Sequence, residues 1–244
     1  MKSKSNNRLS QVYLKSMFNP NLLGILINPH FIARRALAKS IRKNVAPLKG
    51  TILDFGCGSK PYKDFFSYSE YIGMDIEQSG HSHQNETIDV FYDGKKIPFS
   101  DKKFDVVFAS EVFEHVFNLD IIIKEINRVL KHNSTLVASI PFVWEEHETP
   151  YDFARYTCYG IRHILENNGF EVSKIEKTTT DFETNVQLFI NFVVQNLMPK
   201  NKYIFQILTP IFIMPMTLFG LILSKILPNT GSFYINIVLV AKKL

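Results

Sequence analysis

One short stretch, TILDFGCGS at residues 51–59, permits few backbone conformations. The residues before Asp54, and Phe55 after it, are β-branched or apolar, as in a strand that is buried on both faces. Gly56 and Gly58 follow directly, and glycine turns tightly without a Cβ that would keep a ligand away. The stretch therefore predicts a buried first strand that ends in a ligand-binding loop, with an acidic side chain beside it.

The spacing of these glycines distinguishes between two kinds of nucleoside cofactor. A dinucleotide site uses G-x-G-x-x-G, which places a pyrophosphate on a helix N-terminus. Here Pro61 stands where the third glycine would be, and the Asp54 carboxylate would repel a pyrophosphate. An adenosyl cofactor with an amino acid and a sulfonium, but no phosphate, fits better than NAD. The letters LDFGCG resemble the first motif of the class I S-adenosylmethionine-dependent methyltransferases, and this resemblance implies that the loop, including Cys57, binds S-adenosyl-L-methionine.

A second resemblance extends the expected fold along the chain. The stretch IPFSDKKFDVVFASEVFEHV, residues 97–116, resembles the second half of the type 11 methyltransferase domain. The resemblance implies an α/β fold: a Rossmann-like, seven-stranded class I methyltransferase sheet with an antiparallel last strand and an apolar helical insertion between strands six and seven. Apolar and β-branched runs predict strands at 51–55, 71–76, 87–90, 104–110, 135–140, 170–179 and 233–242. Helices are predicted at 31–44, 60–68, 120–131 and 157–168.

Polar residues near the ends of these strands complete the expected cofactor site. Asp75 lies about twenty residues after the glycine loop, where a carboxylate can accept hydrogen bonds from both ribose hydroxyls. Asp89, at the expected end of strand three, is the predicted acceptor for the adenine amino group. Ser110 and Glu111 follow strand four, near the methyl group in such folds. The full predicted cofactor set is Asp54, Gly56, Cys57, Gly58, Asp75, Ile76, Asp89, Val90, Ser110 and Glu111.

The residues just after strand four have two interpretations. Glu111 and His115 are spaced i, i+4 on a predicted helix and would share one face. The pair Glu114-His115 recurs in the family pattern. A polar pair that anchors the helix is favoured here over a catalytic pair.

The segment PFVWEEHETPYDFARYT, residues 141–157, is unusually rich in polar and aromatic side chains. It follows the carboxyl end of strand five, and ligands of open α/β sheets bind at that edge. The segment resembles a sub-group of type 11 methyltransferases that modify cell-surface saccharides, and the resemblance implies an acceptor site. His147 is the predicted general base, because imidazole titrates near neutral pH, and Asp152 is predicted to orient it. A hydrogen bond that only stabilises the loop is an equal alternative for His147.

The same segment supplies the predicted acceptor-binding residues. Arg155 can bind an acidic or phosphorylated acceptor, although a salt bridge with Glu145 or Asp152 is slightly favoured. Trp144, Tyr151 and Tyr156 are predicted to stack on a sugar or an isoprenoid. No metal site is expected, because His81-x-His83 has no accompanying cluster of ligands.

Charge is distributed unevenly along the chain. Ten Lys or Arg residues and no Asp or Glu precede Gly50, whereas the rest of the chain carries eighteen basic and twenty-three acidic residues. The predicted helix at 31–44 is amphipathic, so an anionic membrane surface is an expected partner, and packing of its apolar side on the catalytic domain is an equal alternative. A nucleic-acid partner is not expected, because no target-recognition module is present. With only two cysteines, one in the glycine loop, a reduced cytoplasmic setting is the simplest interpretation.

Residues 181–232 form an insertion that a minimal fold of this kind does not need. Val186–Leu197 is apolar but would reach only ~18 Å as a helix, and Tyr203–Leu227 is apolar apart from Lys225. Both ends must return to one sheet, so any crossings of a membrane must be even in number. A helical hairpin in one leaflet is therefore favoured over a two-helix span, and a lid or an oligomer interface is the further alternative. Pro210 and Pro215 are expected to break or kink the longer helix.

The sequence thus predicts four segments and one activity. The segments are a basic N-terminal arm at 1–49, a methyltransferase core at 50–180, the apolar insertion at 181–232 and a final core strand at 233–244. The expected enzyme is a cytoplasmic S-adenosylmethionine-dependent methyltransferase, peripheral or monotopic on a membrane, that acts on a hydroxyl of a lipid-linked saccharide or a related lipid precursor. The alternatives are a soluble methyltransferase for a small molecule or quinone precursor, and a cofactor-binding scaffold without catalysis.

Overall fold

The computed structural model describes residues 16–77, 80 and 86–244. A seven-stranded sheet has the order β3-β2-β1-β4-β5-β7-β6. Its strands are β1 (Thr51–Phe55), β2 (Glu70–Ile76), β3 (Val90–Tyr92), β4 (Phe104–Ser110), β5 (Leu130–Pro141), β6 (Phe170–Thr180) and β7 (Tyr234–Lys243). The helices are α1 (Phe31–Val45), α2 (Leu119–Val129), α3 (Cys158–Asn167), α4 (Phe182–Asn196), α5 (Lys202–Leu208) and α6 (Met214–Leu223).

The pairing of the strands places several polar residues at one edge of the sheet. β1 is parallel to both β2 and β4, and β4 is parallel to β5, so the carboxyl ends of these four strands lie together. β7 runs antiparallel to β5, with Asn236 opposite Pro141. The beginning of β7 therefore joins the carboxyl edge, which is where open α/β sheets bind ligands. The predicted sheet, with its antiparallel last strand and the helices inserted after β6, is confirmed.

The chain forms two compact units. One contains Ser40–Glu176 and Asn236–Leu244, and hence most of the sheet with α2 and α3. Its central strands are apolar on both faces and almost fully buried, as parallel strands covered by helices require. Thr157 caps α3 by accepting a hydrogen bond from the Gly160 amide, as a threonine at that position favours.

The other unit combines the described part of the N-terminal arm, up to Lys39, with Lys177–Ile235. Ile32 of α1, Ile190 of α4 and Ile213 form a small apolar core within it. Gln187 of α4 donates to the Pro29 carbonyl at 3.0 Å and accepts from the Ala33 amide at 3.3 Å. The described part of the N-terminal arm up to Lys39 and the insertion, which were predicted as separate segments, thus belong to one unit.

The longer apolar segment forms one continuous helical stretch, Lys202–Leu223, that is long and apolar enough to cross a membrane by length and composition. A π-helical turn, Thr209–Ile213, joins α5 to α6 and contains Pro210. The irregularity expected at Pro210 is therefore a π-turn, through which the helical segment continues without a break. Gly220 allows α6 to approach α4, because a Cβ there would lie 2.7 Å from Val186 Cγ1.

Two local predictions differ from the structure, and a third lies outside the residues that it describes. The strand predicted at 87–90 begins at Val90 in the structure, where the three residues of β3 enter the sheet. The predicted helix at 60–68 is a single 3₁₀ turn at Lys63–Phe65, because Pro61 and a left-handed Lys60 interrupt the chain before it. His81 and His83 lie outside the described residues.

Candidate functional site

The glycine loop after β1 is held against β2 by its backbone. The amides of Gly56 and Cys57 both donate to the Met74 carbonyl, at 2.8 and 3.1 Å. Gly56 has a φ of +68°, and a Cβ there would lie 2.4 Å from Val112 Cγ2. Glycine is therefore required at this position for two reasons, its backbone conformation and the close approach of Val112. Burial raises the pKa of the Cys57 thiol, so this residue lines the loop as a neutral side chain.

Asp75 lies at the end of β2 and is buried. Its Oδ2 accepts the Gly58 amide and its Oδ1 accepts the Ile76 amide, each at 2.8 Å. A carboxylate oxygen can accept more than one hydrogen bond. The two amides thus fix the orientation of a carboxylate whose two oxygens match the vicinal diol of a ribose.

Asp54 is fully enclosed beneath the glycine loop. The Tyr71 hydroxyl donates to Asp54 Oδ2 at 2.6 Å. Burial raises the pKa of Asp54 to about 7, although the Tyr71 hydrogen bond and the nearby Lys60 charge favour the carboxylate. A cationic ligand beside the loop would favour the ionised form of Asp54. The site thus holds a carboxyl group that is poised between its two protonation states near neutral pH.

Asp89 lies just before β3 and not at its end, because β3 begins at Val90. Its Oδ2 accepts the Lys60 ammonium at 2.5 Å and the Gly73 amide at 2.7 Å. These bonds hold Lys60 across β2, and they lower the pKa of Asp89 against the effect of burial. Asp89 therefore lies before β3 and not at the carboxyl edge of the sheet. Val90, which was predicted to lie in the cofactor site with it, is the first residue of β3.

The acidic residue at the carboxyl end of β3 is Asp93, which the sequence analysis did not select. It follows Tyr92 directly, and Oδ1 accepts the amides of Lys95 and Lys96 at 2.9 and 3.0 Å. The signal that could have found it is the turn sequence Asp93-Gly94 after an aromatic pair. By its place at the sheet edge, Asp93 is better positioned than Asp89 for the adenine end of the cofactor.

The ends of β4, β5 and β7 share a hydrogen-bonded polar cluster. Ser110 Oγ lies 2.9 Å from Ser139 Oγ, and Ser139 donates to Glu111 Oε1 at 2.8 Å. Asn236 donates to Glu111 Oε2 at 2.6 Å. Glu111 has a φ of +56°, so it ends the strand and does not begin the predicted helix. Ser110 and Glu111 were predicted from the sequence. Ser139 and Asn236 were not, because only the register of the strands brings these two residues to Glu111.

Glu114 and His115 lie in a single 3₁₀ turn, Phe113–His115, where the sequence predicted a longer helix. The Glu114 carbonyl accepts the amides of Phe153 and Ala154, which ties this turn to residues 141–157. The Glu114 side chain is fully buried, and among the described residues neither carboxylate oxygen has a hydrogen-bond partner. Burial, with a contribution from Glu111, raises the pKa of Glu114 well above its ordinary value.

Residues 141–157, here called the acceptor segment, bring three of the predicted residues together. Arg155 binds both oxygens of Asp152, with NH2 2.6 Å from Oδ2. This pairing lowers the pKa of Asp152 to about 2 against the opposing effect of burial. His147 Nδ1 lies 3.3 Å from Asp152 Oδ2, as expected if Asp152 orients the ring. The Arg155 guanidinium thus forms the salt bridge that the sequence analysis slightly favoured over an acceptor contact.

The aromatic residues of the acceptor segment differ in their surroundings. Tyr151 is exposed and its carbonyl lies 2.9 Å from His115 Nδ1. Trp144 and Tyr156 are partly buried. Phe117 and Phe153, which were not selected from the sequence, are exposed and their ring centroids lie 5.3 Å apart. This exposed pair, one ring inside the segment and one outside it, offers an apolar surface to a ligand.

Comparison with known proteins agrees with this arrangement. Residues 53–138 match the model of the type 11 family described as "Methyltransferase domain". The malonyl-[acyl-carrier protein] O-methyltransferase of Legionella pneumophila is 27% identical over 185 residues, which cover 65% of this chain and 64% of that protein. The chain thus spans somewhat less than two thirds of the length of this curated relative.

Solved structures share the fold at low sequence identity. The phosphoethanolamine N-methyltransferase 2 of Haemonchus contortus, in complex with S-adenosyl-L-methionine, has a TM-score of 0.53 at 16% identity and covers 85% of this chain and 52% of that one. The [4+2]-cyclase SpnF has a TM-score of 0.53 at 17% identity and covers 86% and 81% of the two chains. The fold alone thus does not fix the reaction. The match over residues 53–138, on a sheet with the expected strand order, shows that this part of the chain is similar to the class I S-adenosylmethionine-dependent methyltransferases.

Proposed function

We propose that this protein is a methyltransferase that transfers the methyl group of S-adenosyl-L-methionine to a hydroxyl oxygen of a saccharide or lipid-linked acceptor at a membrane surface. The observation that carries the proposal is the carboxyl edge of the sheet. There the glycine loop, with the buried and amide-anchored Asp75, lies at the same edge of the sheet as the carboxyl end of β5, from which the acceptor segment with His147 and several aromatic side chains continues.

A hydroxyl acceptor suits the chemistry of this segment. Methyl transfer forms a bond between the acceptor oxygen and the methyl carbon, while the carbon–sulfur bond breaks and its electron pair goes to sulfur. The hydroxyl must also lose its proton, and the His115 and His147 rings, whose centroids are 4.8 Å apart, are the proposed groups to accept it. Because the sulfonium is already activated, positioning for in-line attack contributes most of the rate. The Legionella relative is likewise an O-methyltransferase.

The unit that contains the insertion supports a membrane location. The Lys202–Leu223 helix has a mean hydropathy of 1.9 over its most apolar window, and only 22% of that window is buried inside the protein. Ile207, Ile211 and Phe219 are each more than half exposed. An exposed apolar surface of this extent needs a partner, and lipid provides one without a further protein. Arg35 and Lys39, exposed in the same unit, would favour an anionic leaflet.

The experiment that tests the proposal has two stages. Calorimetric titration with S-adenosylhomocysteine, with NAD as the control ligand, establishes the cofactor. Methyl-labelled S-adenosylmethionine is then incubated with the protein and either a membrane lipid extract or an aqueous metabolite pool. We expect label in the lipid-linked saccharide fraction. This label should survive mild base, because a methyl ether resists base.

The other outcomes are equally informative. Base-labile label would indicate a methyl ester and a carboxyl acceptor, as in the name of the Legionella relative. Label confined to the aqueous pool would favour the soluble small-molecule or quinone-precursor alternative. Cofactor binding without transfer to either pool would favour a scaffold.

A further inference from the structure

Glu114 presents an unusual combination of burial and missing hydrogen bonds. Its side chain has no solvent exposure, and no described residue donates a hydrogen bond to either carboxylate oxygen. Burial of an unpaired carboxyl group is costly, and nearly all buried polar groups in proteins have a partner. The turn that carries Glu114 is not loose, since its carbonyl accepts two amides of the acceptor segment. The carboxylate is therefore held rigidly in a place that lacks its natural partner, a cation or a donor.

Two histidines near Glu114 each have one ring nitrogen engaged by an acceptor. His115 Nδ1 lies 2.9 Å from the Tyr151 carbonyl, which can only accept, so Nδ1 carries the proton and Nε2 has the lone pair. That Nε2 is 3.7 Å from Glu114 Oε1. His147 Nδ1 faces two acceptors, the Glu145 carbonyl at 3.2 Å and Asp152 Oδ2 at 3.3 Å, so its Nε2 likewise keeps a lone pair.

These contacts match the way in which proteins prepare histidine ligands for metals. Metal-binding imidazoles usually donate their other N–H to a carbonyl or a carboxylate, which fixes the tautomer and the ring orientation. Both rings have such a partner here. Potential ligand atoms of Glu114, His115 and His147 all lie within 4.8 Å of one another. Ligands about 2.1 Å from one ion lie up to about 4.2 Å apart, so a small side-chain rotation would bring the three onto a shared ion.

We propose that Glu114, His115 and His147 bind one divalent transition-metal ion, and that this ion binds the acceptor hydroxyl. Two imidazoles and one carboxylate suit Zn²⁺, Fe²⁺ or Co²⁺ and leave coordination positions open for a substrate oxygen. A bound cation lowers the pKa of a coordinated oxygen, so the hydroxyl proton passes to solvent and the resulting alkoxide attacks the methyl carbon. In this arrangement His147 holds the ion and Asp152 positions His147, while Arg155 balances the charge of Asp152. The role of the ion rests on the proposed function, but metal binding itself does not.

No metal site was expected from the sequence, because no further cluster of ligands accompanies His81 and His83 along the chain. The cluster found here joins a turn after β4 to a segment after β5, and only the fold brings these parts of the chain together.

The test is metal binding by the full-length protein after removal of metal with a chelator and dialysis. Calorimetric titration with Zn²⁺ and Mg²⁺, and the visible absorption of added Co²⁺, are measured for the wild type, Glu114→Gln, His147→Gln and His163→Gln. The last is the matched control, because His163 lies on α3 and its Nε2 contacts Asn167 at 3.0 Å. Binding of S-adenosylhomocysteine is measured on every variant.

We expect one Zn²⁺ or Co²⁺ per wild-type chain, with Mg²⁺ much weaker. Glu114→Gln and His147→Gln should each weaken Zn²⁺ binding by more than ~100-fold, since removal even of an outer partner costs 10–100-fold. His163→Gln should bind as the wild type does. His147 is partly exposed, so His147→Gln remains informative if Glu114→Gln fails to fold.

Two results would overturn the proposal. The first is a folded wild type that binds S-adenosylhomocysteine but no stoichiometric Zn²⁺ or Co²⁺; His147 would then act as a free base and the proposed methyl transfer would stand. The second is metal binding that is equal in the wild type and both cluster variants. If the folded wild type does not bind S-adenosylhomocysteine, the proposed function is rejected, whatever the metal titrations show.

Discussion

The Gly58 amide donates a 2.8 Å hydrogen bond to Asp75 Oδ2, and this bond ties the loop after β1 to the end of β2. The opposite carboxylate oxygen accepts the Ile76 amide at the same distance. Two backbone donors thus orient one side chain before any ligand arrives. Preorganisation of this kind reduces the entropy lost on binding, so a diol meets acceptors that are already in position.

Asp75→Asn should separate cofactor binding from folding. The amide keeps the shape of the carboxylate, but its nitrogen cannot accept from Gly58 or from a ribose hydroxyl. A hydrogen bond to a charged group contributes about 1.5–3 kcal/mol, so affinity for S-adenosylhomocysteine should fall by about 10- to 100-fold for each bond lost. Calorimetric titration measures this. Glu171→Gln, an exposed carboxylate on β6, is the control and should bind normally; equal affinity of the two variants would exclude Asp75 from the site.

Gly56→Ala should destabilise the protein because of steric overlap as well as backbone strain. Gly56 and Gly231 both have positive φ, +68° and +64°, but a Cβ at Gly56 would meet Val112 at 2.4 Å, whereas nothing lies within 4 Å at Gly231. Gly231→Ala should therefore cost only the backbone term of about 1–2 kcal/mol, and Gly56→Ala should cost clearly more. Urea denaturation of both variants gives the difference, and equal losses would show that the loop can move away from Val112.

The buried Asp54 predicts a specific dependence of stability on pH. Its folded-state pKa is raised to about 7 from 3.8, so between these values the folded protein binds more protons than the unfolded chain. The stability that this group contributes is present below its unfolded pKa and is lost as pH rises through about 7. A tenfold difference in proton affinity between the folded and unfolded states corresponds to about 1.4 kcal/mol, so the change is on the order of a few kcal/mol.

Asp54→Asn removes the titration while it keeps the shape of the side chain. The free energy of unfolding should therefore fall less between about pH 5 and about pH 8 in Asp54→Asn than in the wild type. Urea denaturation at several pH values measures both curves. Parallel curves for the two proteins would mean that Asp54 does not titrate in this range.

The sheet was predicted well because the sequence patterns that mark most of its strands are local. Buried β-branched runs mark β1, β2, β4 and β7, and the glycine loop marks the edge that binds the cofactor. β3 was misplaced because it is short, and the residues before it include the apolar Ile88 that imitates a strand. The helix expected at Glu111 failed because that residue adopts a left-handed conformation, which the i, i+4 spacing does not reveal.

The candidate site was less predictable, since strand register determines it. Asp75, Asp152 and His147 follow from motifs in continuous sequence. Asn236 meets Glu111 only because β7 is antiparallel to β5, and Glu114 faces His115 and His147 only because the acceptor segment folds back onto a turn. Pairings between distant segments are not encoded in any local pattern.

Membrane binding should depend on the exposed face of the Lys202–Leu223 helix. In the test variant, Ile207, Ile211 and Phe219 are changed to serine. These side chains are 64%, 57% and 57% exposed, so the change removes few contacts inside the protein. Full burial of such a side chain contributes about 1.5–3 kcal/mol, and partial burial of three should still weaken partition into lipid by at least ~100-fold. Co-sedimentation with phosphatidylcholine vesicles, with and without phosphatidylglycerol, measures the partition.

The matched control changes three exposed apolar residues outside this unit, Ile121, Tyr159 and Leu244, to serine. It should bind vesicles as the wild type does, because these residues are scattered single side chains and do not form a continuous apolar face. The wild type should bind anionic vesicles more tightly than neutral ones, since Arg35 and Lys39 are exposed in the same unit. If the helix variant and the control sediment alike, lipid does not cover this face, and size-exclusion chromatography of the two variants would then show whether a second copy of the chain covers it.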